Sequence, residues 1–242
     1  MTAELRKLLA LPTPRWTLLA TIAAVAIAAL VAALAGPGKG ADMIPIQLGV
    51  GLATSVGAIV LGAWMMGVEY GSKTLRRALS ADPSRPRLLL CKLGVVLGTV
   101  TVVTLVLTAV SAPVFSAIAD AHGESMPIAD TLQYGLAALM NNLIYATVAF
   151  TLALLTRSMA GGMALALVFA FVIDNLLSAI PVVGDYALST AVVDLMRGVA
   201  GSDLGDVGAD DPNILASLGV TAVWLVTLLG VSVARFTRSD VE

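Results

Sequence analysis

The sequence contains very little charge. Only 12% of its 242 residues are Asp, Glu, Lys or Arg, whereas 58% are hydrophobic. Soluble domains carry roughly 25% charged residues, so this composition excludes an ordinary soluble domain. The formal net charge is −2, and most of the positive charge falls on one side of the predicted spans, so nothing here indicates a nucleic-acid partner. The composition therefore predicts an all-α membrane protein.

Cysteine and histidine are nearly absent as well. Cys91 is the single cysteine, which excludes an internal disulfide bond and a cysteine-rich metal site. His122 is the single histidine, and without cysteine partners it does not indicate a zinc site. The sequence also lacks GxxxxGK[ST], GxSxG and HExxH motifs. We therefore expect no metal site, no cofactor and no catalytic residue in this chain.

Hydrophobic runs long enough to cross a bilayer occur repeatedly. A spanning helix needs about 20 predominantly apolar residues. Pro113 is expected to kink or end the third span. The first run is longer than the 7–15 or so residues of a signal-peptide core, so we expect it to remain as a span. The six predicted spans cover residues 17–35, 46–68, 88–112, 132–155, 159–180 and 214–234.

Two segments outside these spans show helical periodicity. Residues 1–15 place leucines on one face before Pro12 and Pro14, which predicts an N-terminal interfacial elbow helix ended by the prolines. Within residues 181–213, Leu188, Val192 and Leu195 recur near helical spacing and predict a further helix. The sequence leaves open whether this helix re-enters the membrane or rests on its outer surface.

Basic residues are concentrated on one side of the predicted spans. Six spans place both termini on the same side, and every Lys and Arg except Lys39 and Arg197 falls on that side. Cytoplasmic loops carry an excess of Lys and Arg. We therefore expect an integral protein of the plasma (inner) membrane, surrounded by membrane lipid, with both termini in the cytoplasm.

The segment between the second and third spans is the most basic part of the chain. Residues 69–92 read EYGSKTLRRALSADPSRPRLLLCK. Apolar residues at helical spacing alternate with Lys73, Arg76 and Arg77, which predicts a short amphipathic helix at the membrane surface. Pro83 ends it, because proline disfavours helical geometry in the preceding residue. By composition alone, such a segment is typical of a loop that only determines topology.

The order of residues in this segment resembles the corresponding loop of type-2 ABC transporter permeases. Glu69 leaves one span, Thr74-Leu75-Arg76 follows, Pro83-Ser84-Arg85 comes next, and Lys92 opens the next span. One departure is that Lys73 stands where many members have glycine directly before the threonine. The resemblance extends over the whole chain, to the short basic tail RFTRSD.

The resemblance implies one transmembrane permease domain, residues 1–242, of an exporter-like transporter. Its loop at residues 69–87 would be a cytoplasmic coupling helix docked on a separate P-loop ATPase. Two ATPase copies, which bind ATP and Mg, and a second six-span permease, identical or related, would complete the transporter. The segment before the last span would form short re-entrant helices. The residues implied in coupling are Glu69, Thr74, Arg76, Arg77, Pro83, Arg85 and Lys92.

Polar side chains within the predicted spans are the candidates for a substrate pathway. A charge at the middle of the membrane costs about 2.5–3.5 kcal/mol on insertion scales, so it must face protein or water. Such residues line a route for substrate or hydrogen-bond neighbouring helices, and the sequence leaves both alternatives open. The candidates are Asn141, Asn142, Tyr145, Asp174 and Asn175.

Small residues at a spacing of four predict places where helices approach closely. Gly94 and Gly98 form a GxxxG pattern, and Ala53 and Gly57 form a similar pair. Both pairs are expected to pack helices within one subunit or between two.

The substrate class compatible with such apolar spans is a drug, a peptide or a lipid-like molecule. The alternative to a transporter is a non-transporting membrane binding or immunity protein.

Overall fold

The computed structural model describes five stretches of the chain, residues 12–35, 44–71, 85–121, 127–200 and 213–238. These residues are almost entirely helical and include no strand, which confirms the all-α prediction. A π-helical turn, Phe169–Ile173, joins α5 to α6, and a 3₁₀ turn, Gly184–Tyr186, precedes α7. The α-helices are α1 Pro12–Ala35, α2 Ile44–Gly71, α3 Arg85–Ala121, α4 Ile128–Thr156, α5 Met159–Val168, α6 Asp174–Ser178, α7 Leu188–Ala200 and α8 Ile214–Arg238.

Six of the helical stretches described are long and apolar enough to cross a membrane. They are α1, α2, α3, α4, the continuous stretch Met159–Ser178 and α8. These six match the six predicted spans and indicate an integral membrane protein. We call the end of the bundle where α2 ends and α3 begins the loop side, and the opposite end the far side.

The first helix begins earlier than predicted. It starts at Pro12 and includes Pro14 in its first turn. Proline is tolerated there because the N–H groups of the first turn have no partner within the helix. The assignment of residues 12–15 to a separate elbow helix is therefore wrong, and these residues open the first span. Residues 1–11 lie outside the described part of the chain, and so does the rest of the predicted elbow helix.

The third span is longer than predicted. Helix α3 contains 37 residues and continues through Pro113 to Ala121. At 1.5 Å per residue it is about 55 Å long, whereas the hydrocarbon core of a bilayer is about 30 Å thick. The predicted end at residue 112 is wrong, because spanning helices tolerate an internal proline when neighbouring groups satisfy the freed carbonyl.

A very short turn joins α4 to α5 on the loop side. Arg157 ends α4 in the left-handed conformation, with a φ of 53°. The Ser158 side chain then caps α5 by accepting a hydrogen bond from the Gly161 N–H at 3.2 Å. This turn packs against the end of α2, since a Cβ atom added at Gly67 would overlap the backbone of Met159.

Helices α2 and α4 form the centre of the bundle. Their backbones touch where Gly62 meets Ala146, because a Cβ atom at residue 62 would overlap the Ala146 carbonyl. Ala146 belongs to the main apolar core, which also contains the large buried side chains Trp64, Met66 and Phe150. Small residues at helix contacts allow the close packing that holds membrane helices together.

The two predicted small-residue pairs differ in outcome. A Cβ atom at Gly57 would lie 2.5 Å from Thr21 Oγ1, so this glycine does allow α1 to approach α2. A Cβ atom at Gly94 or Gly98 would meet no other side chain or neighbouring helix of the described residues within 4 Å, and both glycines are exposed. Of the two alternatives for Gly94 and Gly98, close packing within the single chain is therefore not observed among the described residues, and packing between two subunits stays a prediction.

Helix α7 packs between α4 and α8 and runs antiparallel to α8. Gly198 contacts Ile214 at the start of α8, and Ser217 Oγ donates to Asp194 Oδ2 at 2.9 Å. Farther along α8, Trp224 Nε1 donates to the Tyr186 carbonyl at 2.9 Å.

Trp224 lies about 15 Å along the α8 axis from Ile214. On its other side α7 contacts α4, where Met196 and Val199 pack on Ala137. Helix α7 therefore packs between two spanning helices, which favours the re-entrant alternative over a helix resting on the outer surface.

Candidate functional site

The residues implied in coupling fall into three groups in the structure. Thr74, Arg76, Arg77 and Pro83 lie outside the described residues, as does the predicted amphipathic helix. Arg85 begins α3, but the structure describes only its backbone and not its side chain. Only Glu69 and Lys92 are described with their side chains.

Glu69 and Lys92 form a buried ion pair between α2 and α3. Lys92 Nζ donates to Glu69 Oε1 at 3.0 Å, and the two side chains are 0% and 1% exposed, respectively. The pair joins the last turns of α2 to the first turns of α3. Opposite charges attract strongly where water is excluded, and each charge compensates the burial of the other. Neither side chain is therefore part of the outer surface of the chain.

The candidate residues Asn141 and Asn142 belong to a polar layer across three helices. Asn142 is fully buried, its Nδ2 donates to Thr104 Oγ1 of α3 at 3.1 Å, and Ser55 Oγ of α2 donates to its Oδ1 at 3.0 Å. Asn141 Nδ2 donates to Ser55 Oγ at 2.7 Å. We call Ser55, Thr104, Asn141 and Asn142 the asparagine layer. It ties α2, α3 and α4 together by interhelical hydrogen bonds.

Tyr145 and Asp174 form a second polar contact, one turn of α4 from the asparagine layer toward the loop side. Tyr145 Oη donates to Asp174 Oδ2 at 2.9 Å, and the aspartate is fully buried. The backbone N–H groups of Leu188 and Ser189 also face this carboxyl group. Because free N–H groups at a helix N-terminus favour a negative charge, Asp174 anchors the start of α7.

The π-helical turn determines which residue of the fifth span points inward. The N–H of Asp174 donates to the Phe169 carbonyl, five residues back rather than four. The extra residue shifts the helical phase, so Asp174 is buried while the adjacent Asn175 is exposed. Asn175 Nδ2 donates to the Ala170 carbonyl at 3.1 Å. Asn175 is therefore separated from the other four pathway candidates.

A small cavity lies between α2, α3 and α4 on the far side of the asparagine layer. Its volume is about 50 Å³, and Thr104 belongs both to its lining and to the layer. We call it the hydroxyl chamber, after the side chains that line it: Thr54, Thr104, Thr108, Ser111, Thr131 and Tyr134.

The sequence pattern does not distinguish Ser55 or the threonines around the chamber from other hydroxyl residues in the spans. Many hydroxyl groups in membrane helices bond to the preceding turn of their own helix, as Thr99 does to the Val95 carbonyl at 2.8 Å. A serine or threonine in a span therefore gives little signal by itself. No group of three or more His, Cys, Asp or Glu that could hold a metal ion occurs in the part of the chain that the structure describes.

The sequence was compared with protein-family models and with curated proteins. No family model matches it, and no curated protein matches it either.

Proposed function

We propose that this protein is the membrane-spanning subunit of an ATP-driven transporter of the type-2 ABC class, which exports a hydrophobic or amphipathic substrate. The observation that carries the proposal is the order Glu69, Thr74, Pro83-Ser84-Arg85 and Lys92 between the second and third spans. The six spanning helices and the re-entrant α7 agree with this class. The chain itself performs no catalysis, and ATP and Mg bind to the partner ATPase.

The ion pair between Glu69 and Lys92 would help the loop at residues 69–87 transmit its movement to α2 and α3. A loop held only by its own backbone can move without its helices, whereas a loop whose two ends are joined moves together with them. ATP binding to the partner would displace residues 69–87, and α2 and α3 would follow as a unit. The bundle would then change between two arrangements by relative movement of packed helices.

The proposed assembly contains two copies of a P-loop ATPase and two six-span permeases. It lies in the plasma (inner) membrane with both termini in the cytoplasm, since the basic residues of the chain are concentrated on that side. In this orientation the loop side is cytoplasmic, where the ATPase would have access to residues 69–87.

The test is purification of the tagged protein from its native membranes, followed by photolabelling with an azido derivative of ATP. We expect a separate chain to be labelled in the wild-type preparation. The double variant Arg76→Glu and Arg77→Glu should lose most of this labelled partner while inserting normally, because reversed charge repels an acidic docking surface.

The matched control reverses two basic residues elsewhere on the same side, Arg235→Glu and Arg238→Glu. Both lie exposed in the last turn of α8, and their reversal should leave the partner bound. The absence of any ATP-labelled chain beside the wild-type protein would overturn the proposal. A non-transporting membrane binding or immunity protein would then take its place.

A further inference from the structure

Thr131 carries a buried hydroxyl group that lacks a partner. It lies in the first turn of α4, and only 5% of the residue is exposed. Its Oγ1 has no hydrogen-bond partner among the described residues. Leaving a buried hydroxyl group unpaired costs roughly 1–3 kcal/mol in proteins, so a site of this kind selects an occupant that can hydrogen-bond.

The hydroxyl chamber, which Thr131 lines, has the size and the chemistry for such an occupant. A cavity needs about 10–15 Å³ to hold one water molecule, and this one measures about 50 Å³. Water also needs two to four polar partners. Thr54, Thr108 and Ser111 stand on the opposite walls, and each hydroxyl oxygen can accept a further hydrogen bond.

The chamber ends at a polar layer, and apolar packing follows on the other side of that layer. Thr104 forms part of the chamber wall and also accepts from Asn142 Nδ2, so the asparagine layer closes the end toward the loop side. Past this layer the helices pack through apolar side chains such as Ile59 and Val96. Thr131 lies in the first turn of α4, at the end of the bundle where water is available.

We infer that the hydroxyl chamber is a water-binding site, filled from the far side and closed at the asparagine layer. The bound water satisfies Thr131 and hydrates the outer part of the bundle as far as Thr104. The apolar region around Ile59 and Val96, on the other side of the layer, stays dry. This inference concerns the chain by itself and does not depend on the proposed ATPase partner.

Hydrogen–deuterium exchange of single thiols tests the inference directly. In a Cys91→Ser background, Ser111→Cys or Thr131→Cys places one thiol in the chamber, and infrared absorption distinguishes S–H from S–D after transfer to D₂O. The control Val96→Cys places a thiol on α3 at 2% exposure within the dry core. We expect the chamber thiols to exchange at least about tenfold faster than the control, because a dry site exchanges only when the structure opens.

The direction of the Tm change in a second variant tests the inference independently. Thr131→Val removes the hydroxyl group and keeps the shape of the side chain. If water binds Thr131, the variant loses that hydrogen bond and its Tm falls. If the chamber is dry or holds a lipid chain, the variant removes an unpaired polar group and its Tm rises. Thiol exchange as slow as that of Val96→Cys, or a raised Tm for Thr131→Val, overturns the inference.

Discussion

At the scale of single residues, Lys92 provides the sharpest test of stability. Lys92→Met leaves Glu69 buried without a counter-charge, and removal of one partner from a buried pair costs about 3–5 kcal/mol. The double variant Glu69→Gln and Lys92→Met should regain most of that loss, because no isolated charge remains. Thermal unfolding of the purified single and double variants measures both effects.

Arg235→Ala is the control for this pair, because Arg235 is a basic residue exposed on α8. Exposed substitutions usually change stability by less than about 0.5 kcal/mol. A double variant as unstable as the sum of its two single variants would show that the ion pair is not what holds the helix ends.

Asp174 allows the structural and the transport alternatives to be separated. Asp174→Asn keeps an oxygen that can accept from Tyr145, so we expect normal stability. Asp174→Leu leaves the Tyr145 hydroxyl without an acceptor and removes the carboxylate that faces the first N–H groups of α7, and we expect a loss of roughly 1–3 kcal/mol. The matched control is Asn175→Leu, at the exposed neighbouring position, which should have a small effect.

The same Asp174→Asn variant tests the pathway prediction. A residue that lines a substrate route should alter substrate-dependent transport even when the bundle is intact. Unchanged transport in reconstituted vesicles, together with a destabilised Asp174→Leu variant, would leave Asp174 a purely structural residue that anchors α7.

At the scale of elements, the contact between α2 and α4 limits what the bundle can accommodate. Gly62→Ala forces a methyl group into the Ala146 backbone, and neither backbone can yield without separating the helices. Overpacking of this kind typically costs about 1–3 kcal/mol. Gly98→Ala, where a Cβ atom has open space on α3, should be neutral or slightly stabilising because alanine favours helix over glycine. Comparing the Tm values of these two variants tests the α2–α4 contact.

A Gly62→Ala variant as stable as Gly98→Ala would contradict the observed α2–α4 contact. Conversely, a loss of stability in Gly98→Ala would show that this exposed glycine packs against something beyond the single chain. That second outcome would favour the alternative in which Gly94 and Gly98 join two subunits.

Element boundaries show where sequence patterns are strong and where they are weak. The apolar runs predicted all six spans, because the cost of placing polar residues in hydrocarbon is a local property of each run. Three prolines that were predicted to end or interrupt helices lie within helices instead. Pro12 and Pro14 open α1, and Pro113 lies within α3, because the position of a proline in a helix decides its effect.

At the scale of the whole molecule, the distribution of Lys and Arg predicts the orientation. A reporter that is active only outside the cytoplasm should be silent when fused after Glu242. The same reporter fused to a chain truncated after Ala200, before the sixth span, should be active. Measured reporter activity in intact cells decides the matter, and the opposite pattern would reverse the predicted orientation.

The sequence by itself determined the helical class, the number of spans and the sidedness of the charges. Each of these depends on residues close together in the chain. It also indicated Asn142, Tyr145 and Asp174 as candidate functional residues, because polar groups are costly within a span.

Only the tertiary structure decided which of those groups meet. Ser55 and Thr104 bind Asn142 from two other helices, and Glu69 pairs with Lys92 across the basic loop. The structure also packed α7 between α4 and α8, although its sequence suited a surface helix equally well. These features depend on the relative rotation and depth of helices far apart in sequence, which are determined by packing contacts such as that of Gly62 with Ala146 rather than by any local pattern.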